Sequence, residues 1–506
     1  MFTTVRSTTL LGVVGRAVDV EVHVGVGLPG FTIVGQPDEV CRESRDRVRA
    51  AFLSRGFAWP NRRITVNLAP SGERKGGAGL DLAIAIAVLV ADEQIDGSLA
   101  ADVSQRHAFV AELGLDGSLR SVVGAAPLVS AVRDRRVVVA AGNLSAARAA
   151  GAIDVVAASD LAHAVACLRG EAEWLQSDDD TLVAHDPPLP DLGDVRGQPA
   201  ARLALEIAAA GSHHLLLVGP PGAGKSMLAR RLPSILPPLT DDQALACTMV
   251  HSAAHVPMSS SGRVTRPPFR APHHSVSLVG MIGGGTSAMR PGEISLASDG
   301  VLFLDELGEF APSVLDALRQ PLEEGVVHVS RARTTLSFPA RFLLVAAANP
   351  CPCGSGTPGV CVCDDAARAR YLRRFSGPLL DRFDLRVSVG LPRIDDLVDG
   401  TKGESSACVA ERVVQVRNIA LRRNGVPNSK IAVDDLDVLA PLSPPARAML
   451  RRELELGRLS GRGLHRIRRV ARTIADLDAE SAMVTERHVA TALQLRTGLS
   501  TLRGGV

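Results

Sequence analysis

The sequence predicts a multidomain α/β chain: an N-terminal α+β block, a central nucleotide-binding α/β block and a C-terminal helical block. Three observations predict it. The chain has 506 residues, enough for about three domains at the usual ~150 residues each. A glycine-rich phosphate-loop motif sits near the middle, between a strand-like apolar run and a helix-compatible run. Two shifts in composition flank that centre. Glu171 to Asp194 carries eight acidic residues, no lysine or arginine, and Pro187, Pro188 and Pro190, while Pro392 to Ser406 is polar and glycine-containing. The blocks are therefore 1–170, an acidic linker at 171–192, 193–392 and 393–506.

The first block mixes strand and helix signals. Arg63 to Leu68 alternates as a strand, Leu80 to Ala91 reads as a buried helix, and Phe109 to Val122 reads as a hairpin turning at Asp116-Gly117. In the central block the apolar run Leu215 to Val218 leads into Gly219-Pro220-Pro221-Gly222-Ala223-Gly224-Lys225-Ser226, followed by a helix-compatible stretch from Met227 to Leu236. Glycines let backbone N–H groups curl around phosphate oxygens, and the helix start adds its positive end. Lys225 reaches the outer phosphates, and the Ser226 hydroxyl is a ligand for Mg²⁺. The motif implies binding of ATP with Mg²⁺.

Val301 to Leu304 is a buried-strand run ending in Asp305 and Glu306. Asp305 is placed to hold the Mg²⁺ shell and Glu306 to polarise an attacking water; without a phosphate loop the same pair would read as a helix cap. A third strand, Phe342 to Ala348, ends in Asn349-Pro350, where the amide can meet the γ-phosphate or the water, although Asn-Pro alone is a turn signal. Arg382, in Leu379-Leu-Asp-Arg-Phe-Asp384, has two readings: a finger offered to a neighbouring subunit's ATP, or an intrachain Arg–Asp pair. The third block has Leu464, Ile467, Ala471 and Ile474 at helical spacing, with Arg466, Arg468, Arg469 and Arg472 mostly off that stripe. Residues 441–506 hold 12 basic and 6 acidic side chains, a local positive excess.

Composition bounds the remaining possibilities. Hydrophobic residues are 46% and charged residues 22%, so the chain can bury a core. A formal charge of +2 excludes a polycation that coats nucleic acid by net charge, and any basic surface is local. Only Lys75, Lys225, Lys402 and Lys430 are lysines among 56 basic residues, so each merits placing. Aromatics at 3% argue against long base-stacking platforms. The longest apolar run, Leu82 to Ala91, is about half of what a bilayer crossing needs, and no basic segment leads into an apolar one at the N-terminus. The expectation is a soluble, cytoplasmic protein with no membrane partner. Eight cysteines in so long a chain do not make a disulfide framework. Four of them, Cys351, Cys353, Cys361 and Cys363, form two Cys-x-Cys pairs. They are candidates for a structural Zn²⁺ site, with free or redox-sensitive thiols and another metal as the alternatives; the usual zinc spacing places two to four residues between paired cysteines.

The motifs in this order resemble an AAA+ ATPase. Pro268-Phe-Arg-Ala-Pro-His273-His274-Ser, Ile282-Gly-Gly-Gly285, Arg290-Pro-Gly-Glu293-Ile-Ser-Leu-Ala297 and Gly300-Val-Leu-Phe-Leu-Asp-Glu-Leu307 narrow it to the magnesium-chelatase-like YifB/ComM family. The resemblance covers nearly the whole chain. It implies that Asn349 is the sensor 1 residue, Arg382 the arginine finger, and Arg462 the sensor 2 arginine of a helical lid, with Arg466 the less favoured candidate. It places Asp194 to Gln198 near the adenine. It also implies a first block similar to the proteolytic domain of Lon, a ribosomal S5 domain 2-like fold, in the run Arg74-Lys75-Gly-Gly-Ala-Gly79-Leu-Asp81. Gly79 stands where the Lon nucleophile would fall, and glycine cannot attack a peptide; Ser71, with Lys75 to activate it, reads rather as a surface turn.

The 80 positions between Lys225 and Asp305 leave room for an insert, and the family implies hairpins there and after Asp305. Gly325 to Phe338 reads as two strands with Arg331 and Arg333 at the tip, candidates to contact DNA backbone from a ring pore or simply a solvated tip. His273 and His274 read as loop scaffold or pore-loop residues. The resemblance suggests a homo-hexameric ring motor on single-stranded or branched DNA, a helicase or branch-migration factor in recombination or DNA uptake. The rival reading is the ATPase subunit of a magnesium-chelatase-type metal-insertion or MoxR-like remodelling machine; an ATP-dependent protease is weakened by Gly79.

Overall fold

The computed structural model describes residues 1–496 apart from 73, 153, 177–187, 260, 286–288, 332–333, 356–360, 376, 399 and 479–481. The N-terminal block comprises β1 (Phe2–Leu11), β2 (Val14–Gly25), β3 (Gly30–Val34), α1 (Ser44–Ser54), β4 (Arg63–Ala69), α2 (Asp81–Ala91), β5 (His107–Val110), β6 (Glu112–Leu113), β7 (Leu119–Arg120), α3 (Ala125–Ser130), β8 (Arg136–Ala140), β9 (Val155–Ala158) and α4 (Leu161–Arg169). Seven of these strands form one mixed sheet in the order β3-β4-β2-β1-β5-β8-β9. The alternation in 63–68 becomes β4, and the apolar run becomes α2, in which every residue is buried. A helix apolar all round must be covered on all sides, and α2 lies under β1 and β2 with α1 beside it. Its one charged residue, Asp81, is paired at the helix start with Arg47 at 2.6 Å and accepts a hydrogen bond from the Ser44 hydroxyl.

The hairpin expected over 109–122 is shorter. Only β6 and β7 pair across Asp116-Gly117, while His107–Val110 is a buried strand lying parallel between β1 and β8. Four consecutive buried residues have both faces covered, as an interior parallel strand requires, and a hairpin arm with one wet face would not.

The remainder of the chain begins with α5 (Pro199–Gly211), β10 (Leu215–Val218), α6 (Lys225–Ala229), α7 (Asp241–Ala253), β11 (Phe269–Arg270), β12 (Gly283–Gly284), β13 (Arg290–Pro291) and β14 (Val301–Leu304). It continues with β15 (Val326–Arg331), β16 (Thr334–Pro339), β17 (Leu343–Ala348), α8 (Asp365–Arg374), β18 (Leu385–Ser388), α9 (Ser406–Asn424), α10 (Pro444–Glu455), α11 (Gly461–Leu477) and α12 (Glu486–Gln494). An all-parallel sheet runs β11-β14-β17-β10-β18. Its strands are apolar runs rather than alternating ones, as in β17, where all six residues are buried. Because β17 lies between β10 and β14, the loops leaving all three strands open at one edge, the place where α/β sheets bind ligands. Two hairpins stand outside the sheet, β12–β13 before β14 and β15–β16 after it, matching the inserts expected on either side of Asp305.

The C-terminal helices do not form a separate core. Val409, Val413 and Val416 of α9 and Ile467, Val470 and Ala471 of α11 pack into one cluster with Ala204, Leu205 and Ala208 of α5. The α11 start is fixed by Ser460, whose hydroxyl accepts from the Gly463 N–H at 3.1 Å. The N-terminal block also touches the parallel-sheet unit directly, since Ser252 at the end of α7 accepts from the N–H groups of Gly124 and Ala126. No helix among the described residues is long and apolar enough to cross a membrane.

Candidate nucleotide site

The loop from β10 to α6 depends on its glycines. A Cβ at Gly219 would stand 2.0 Å from the Val389 carbonyl oxygen, and Gly224, just before α6, adopts φ +86°. Both positions exclude other side chains, the first by contact and the second by backbone conformation. The resulting turn brings Lys225 to the start of α6, largely buried, where its Nζ donates to the carbonyls of Gly219 at 2.6 Å and Pro220 at 2.9 Å and to Asn349 Oδ1 at 3.1 Å. Burial lowers its pKa below the ordinary 10.5, opposed by the charges of Asp305 and Glu306. Ser226 Oγ donates to Asp305 Oδ2 at 2.6 Å. Two oxygen donors thus meet at one point beside an ammonium group, a donor set that fits a hard cation such as Mg²⁺.

Residues from three different strand ends therefore converge: Lys225 and Ser226 after β10, Asp305 after β14 and Asn349 after β17. Glu306 takes a left-handed backbone, φ +51°, with its N–H on Asp305 Oδ1 at 3.0 Å. That turn leaves its carboxylate more than half exposed, 3.6 Å from His274 Nδ1. His274 lies against His273, the two rings tilted with centroids 4.0 Å apart, so the histidine pair lies in a loop beside Glu306. Asn349 is held from behind by Tyr371, the chain's single tyrosine, whose hydroxyl donates to the Asn349 carbonyl at 3.0 Å. Sequence reasoning passed over Tyr371, although its rarity was a usable signal.

On the other side of the loop, Gln198 donates to the carbonyls of Gly390 at 2.6 Å and Ala223 at 3.5 Å. Next to it lies a cavity of ≈ 780 Å³, lined among others by Val195, Gly197, Arg202, Glu206, Arg393 and Asp396. The segment 194–198 thus borders both the phosphate loop and a space large enough for a base and sugar. Arg202, Glu206 and Arg393 had no motif to announce them.

The arginines divide differently from the sequence expectation. Arg382 is mostly buried and makes an intrachain ion pair, but with Glu323 rather than with a neighbouring aspartate, and it also donates to the Pro378 carbonyl at 2.6 Å. Its Nε is buried without a hydrogen bond among the described residues. Arg466 is engaged with Asp384 Oδ1 at 2.6 Å and with the Arg382 carbonyl, whereas Arg462 is exposed in the first turn of α11. Asp384 also meets His213 Nδ1 at 3.3 Å, and His213 Nε2 is 2.7 Å from Thr473 Oγ1 on α11. Burial works against the Asp384 charge, yet His213 and Arg466 hold it below the usual carboxylate range. This buried network ties the segment after Arg382 to α11, a link that spacing in sequence did not reveal.

The remaining expected residues sit apart. The β15–β16 hairpin forms with Arg331 opposite Thr334 in register; Arg333 and the Arg331 side chain lie outside the described residues. Cys351, Cys353, Cys361 and Cys363 come together in the loop after Asn349. In the N-terminal block Lys75 is buried and donates to the Pro70 carbonyl, while Ser71 is exposed in a turn and Gly79 is buried.

Comparison with known proteins accords with this geometry. Residues 191–396 match the family model for magnesium chelatase, subunit ChlI, residues 20–143 a model for subunit ChlI of Mg-chelatase, and residues 403–496 the ChlI C-terminal model. The competence protein ComM of Haemophilus influenzae is 43% identical over 500 residues, 97% of each chain. YifB of Escherichia coli is 41% identical over 495 residues, 97% of this chain and 96% of that one. The magnesium-chelatase 38 kDa subunit of Cereibacter sphaeroides is 29% identical over 217 residues, 39% of this chain and 58% of its own. With 43% and 41% identity over 97% of its length to these two relatives, the chain belongs to the ComM/YifB family of magnesium-chelatase-like proteins.

Proposed function

We propose that this protein is an AAA+ ATP hydrolase that assembles as a homo-hexameric ring and acts on single-stranded or branched DNA in the cytoplasm. The observation that carries the ATPase reading is the convergence of two hydrogen-bonded pairs at neighbouring strand ends, Lys225 with Asn349 and Ser226 with Asp305. Backbone N–H groups of the loop from Gly219 to Ser226 cradle the phosphates, and Lys225 moves from loop carbonyls to the outer phosphate oxygens. Ser226 and Asp305 are the residues that would hold Mg²⁺, which when bound neutralises charge on the phosphates. Glu306, with its exposed carboxylate, orients the attacking water. Asn349 reports the state of the γ-phosphate, and Arg462 at the start of α11 does so from a helical lid. Arg382 is supplied to the neighbouring subunit's ATP, which requires its pair with Glu323 to open.

DNA as the partner is supported by the near full-length likeness to a protein named for competence and by the β15–β16 hairpin, in which Arg331 stands opposite Thr334. Helicase or branch-migration activity follows as the reading of such a ring. The N-terminal block is a Lon-like module without a nucleophile at Gly79. The second reading, a chelatase-type or MoxR-like motor subunit, is favoured by the match of all three blocks to chelatase family models. One experiment separates them: ATPase rate without additions, with single-stranded, duplex or branched DNA, and with porphyrin and a divalent metal. Stimulation by branched or single-stranded DNA supports the DNA motor; stimulation by the porphyrin mixture alone overturns it.

A further inference from the structure

The loop between β17 and α8 gathers four cysteines whose Sγ atoms all lie within 4.8 Å of one another. Cys351 and Cys353 are 3.3 Å apart, and each is 3.5 Å from Cys361. These separations are far longer than a disulfide of about 2.05 Å. They lie near the edge of a tetrahedron built on Zn–S bonds of about 2.3 Å, which is about 3.8 Å. A 4Fe–4S cluster would place each thiolate on its own iron and a 2Fe–2S cluster would divide them between two, either way spreading the four sulfurs further, so the set suits a single ion. Thiols are weak donors and weak acceptors, so four of them gain little from one another's company without an ion.

The surroundings fit the same chemistry. The turn from Cys351 to Gly354 is closed by the Gly354 N–H on the Cys351 carbonyl at 3.0 Å, with Gly354 at φ +83°. That reversal overcomes the short Cys-x-Cys spacing by bringing the two sulfurs together. The Cys353 N–H donates to Cys363 Sγ at 3.4 Å, and Arg368 hydrogen-bonds Cys361. N–H and guanidinium donors on the sulfurs stabilise the net negative charge that four thiolates leave around a divalent ion.

The location gives the site a consequence. Cys351 is two residues past Asn349. Gly354 lies against the phosphate loop, where a Cβ would stand 2.7 Å from Pro221 Cδ. Tyr371, on the helix that follows the fourth cysteine, holds the Asn349 carbonyl and covers Gly308, where a Cβ would meet its ring at 2.6 Å. We propose that Cys351, Cys353, Cys361 and Cys363 bind one zinc ion, which fixes the loop that presses on Pro221 and positions Asn349 in the nucleotide site.

The metal assignment stands apart from the ATPase reading; the positioning role rests on it. The full chain, purified without chelator or metal-affinity resin, is analysed for metals, and zinc release is followed as thiols are titrated with a mercurial. About one zinc per chain is expected, released as about four thiols react, with loss of the metal in Cys353→Ser and Cys361→Ser and its retention in Cys408→Ser, an exposed cysteine elsewhere. Cobalt exchanged into the unmutated chain should give the thiolate charge-transfer and tetrahedral bands of a four-sulfur site, a readout that does not depend on the variants folding. Zinc below about 0.2 per chain, iron with a cluster chromophore, or disulfides under non-reducing conditions would each overturn the assignment. Binding of a fluorescent ATP analogue should weaken at least about five-fold on zinc removal, the lower end of usual coupling between sites. Stoichiometric zinc with unchanged nucleotide affinity in its absence refutes the positioning role and leaves the nucleotide site itself untouched.

Discussion

Acidification should destabilise the parallel-sheet unit through one residue, His214. It sits at the entry to β10, half-buried, and its Nδ1 accepts the Leu344 N–H of β17 at 3.0 Å. Its carbonyl accepts from Asp384 and Leu385, so it joins the strands that carry the phosphate loop and Asn349 to β18. Burial pushes its pKa from the ordinary 6.5 to about 4, with Asp384 opposing and Lys430, Arg466 and His213 adding to the fall. A proton on Nδ1 would also abolish the bond from Leu344. Because the folded pKa is depressed, the contribution is complete above pH 6.5, where both states are neutral, and is lost as pH falls from there towards 4, where only the unfolded chain takes up the proton. Linkage gives a loss of about 2 kcal/mol at pH 5 and about 3 kcal/mol by pH 4. His214→Asn retains an acceptor near the Nδ1 position and removes the titration. Denaturant midpoints between pH 7.5 and 5 should then fall more steeply for the unmodified chain than for the variant, even if the variant starts lower. Parallel pH profiles would refute the reasoning, since the His214 imidazole would not be the group whose protonation favours the unfolded chain.

Other outcomes follow from the nucleotide site. Lys225→Ala should abolish nucleotide binding, measured by calorimetry or a fluorescent analogue; normal affinity would remove the phosphate-loop assignment. Arg382→Ala should bind ATP yet hydrolyse it more slowly by about 10³-fold or more, and mixing it with Glu306→Gln chains should restore part of the turnover by rebuilding intact sites between subunits. No recovery on mixing argues for the intrachain pair with Glu323 as its whole role. Replacing Arg331 and Arg333 with glutamine should reduce DNA-stimulated ATPase more than basal ATPase, whereas equal losses would place them off the DNA path.

Particular residues show why some features were legible and others hidden. The phosphate loop, the β14 carboxylates and the β17 asparagine each announce themselves because their chemistry is local: a glycine turn, or a polar residue at the end of an apolar strand. The run that became α2 was equally clear, since only burial on all sides explains it. The hairpin at 109–122 was overextended because Phe109 and Val110 carry the same apolar signal whether they pair with a neighbour in sequence or with distant β1 and β8. Arg382 reads as a finger or as half of a pair from its immediate neighbours, and the partner it meets in the fold, Glu323, is 59 positions away. Tyr371 was missed for the same reason, its contact being with a main-chain atom of another segment.

By itself the sequence disclosed a glycine-rich loop between an apolar strand and a helix, polar residues closing the neighbouring apolar strands, and helical periodicity beyond them. Those are properties of short segments, fixed by periodicity and by what glycine, lysine and carboxylates can do. Only the tertiary structure decided that β17 separates β10 from β14, so that Ser226 meets Asp305 and Lys225 meets Asn349. It also decided that four cysteines in two short-spaced pairs close on one point beside Pro221, and that Asp384 ties the arginine segment to α11. Each of these depends on which strand lies beside which and how a loop folds back, and pairing between distant segments leaves no period in the chain to read.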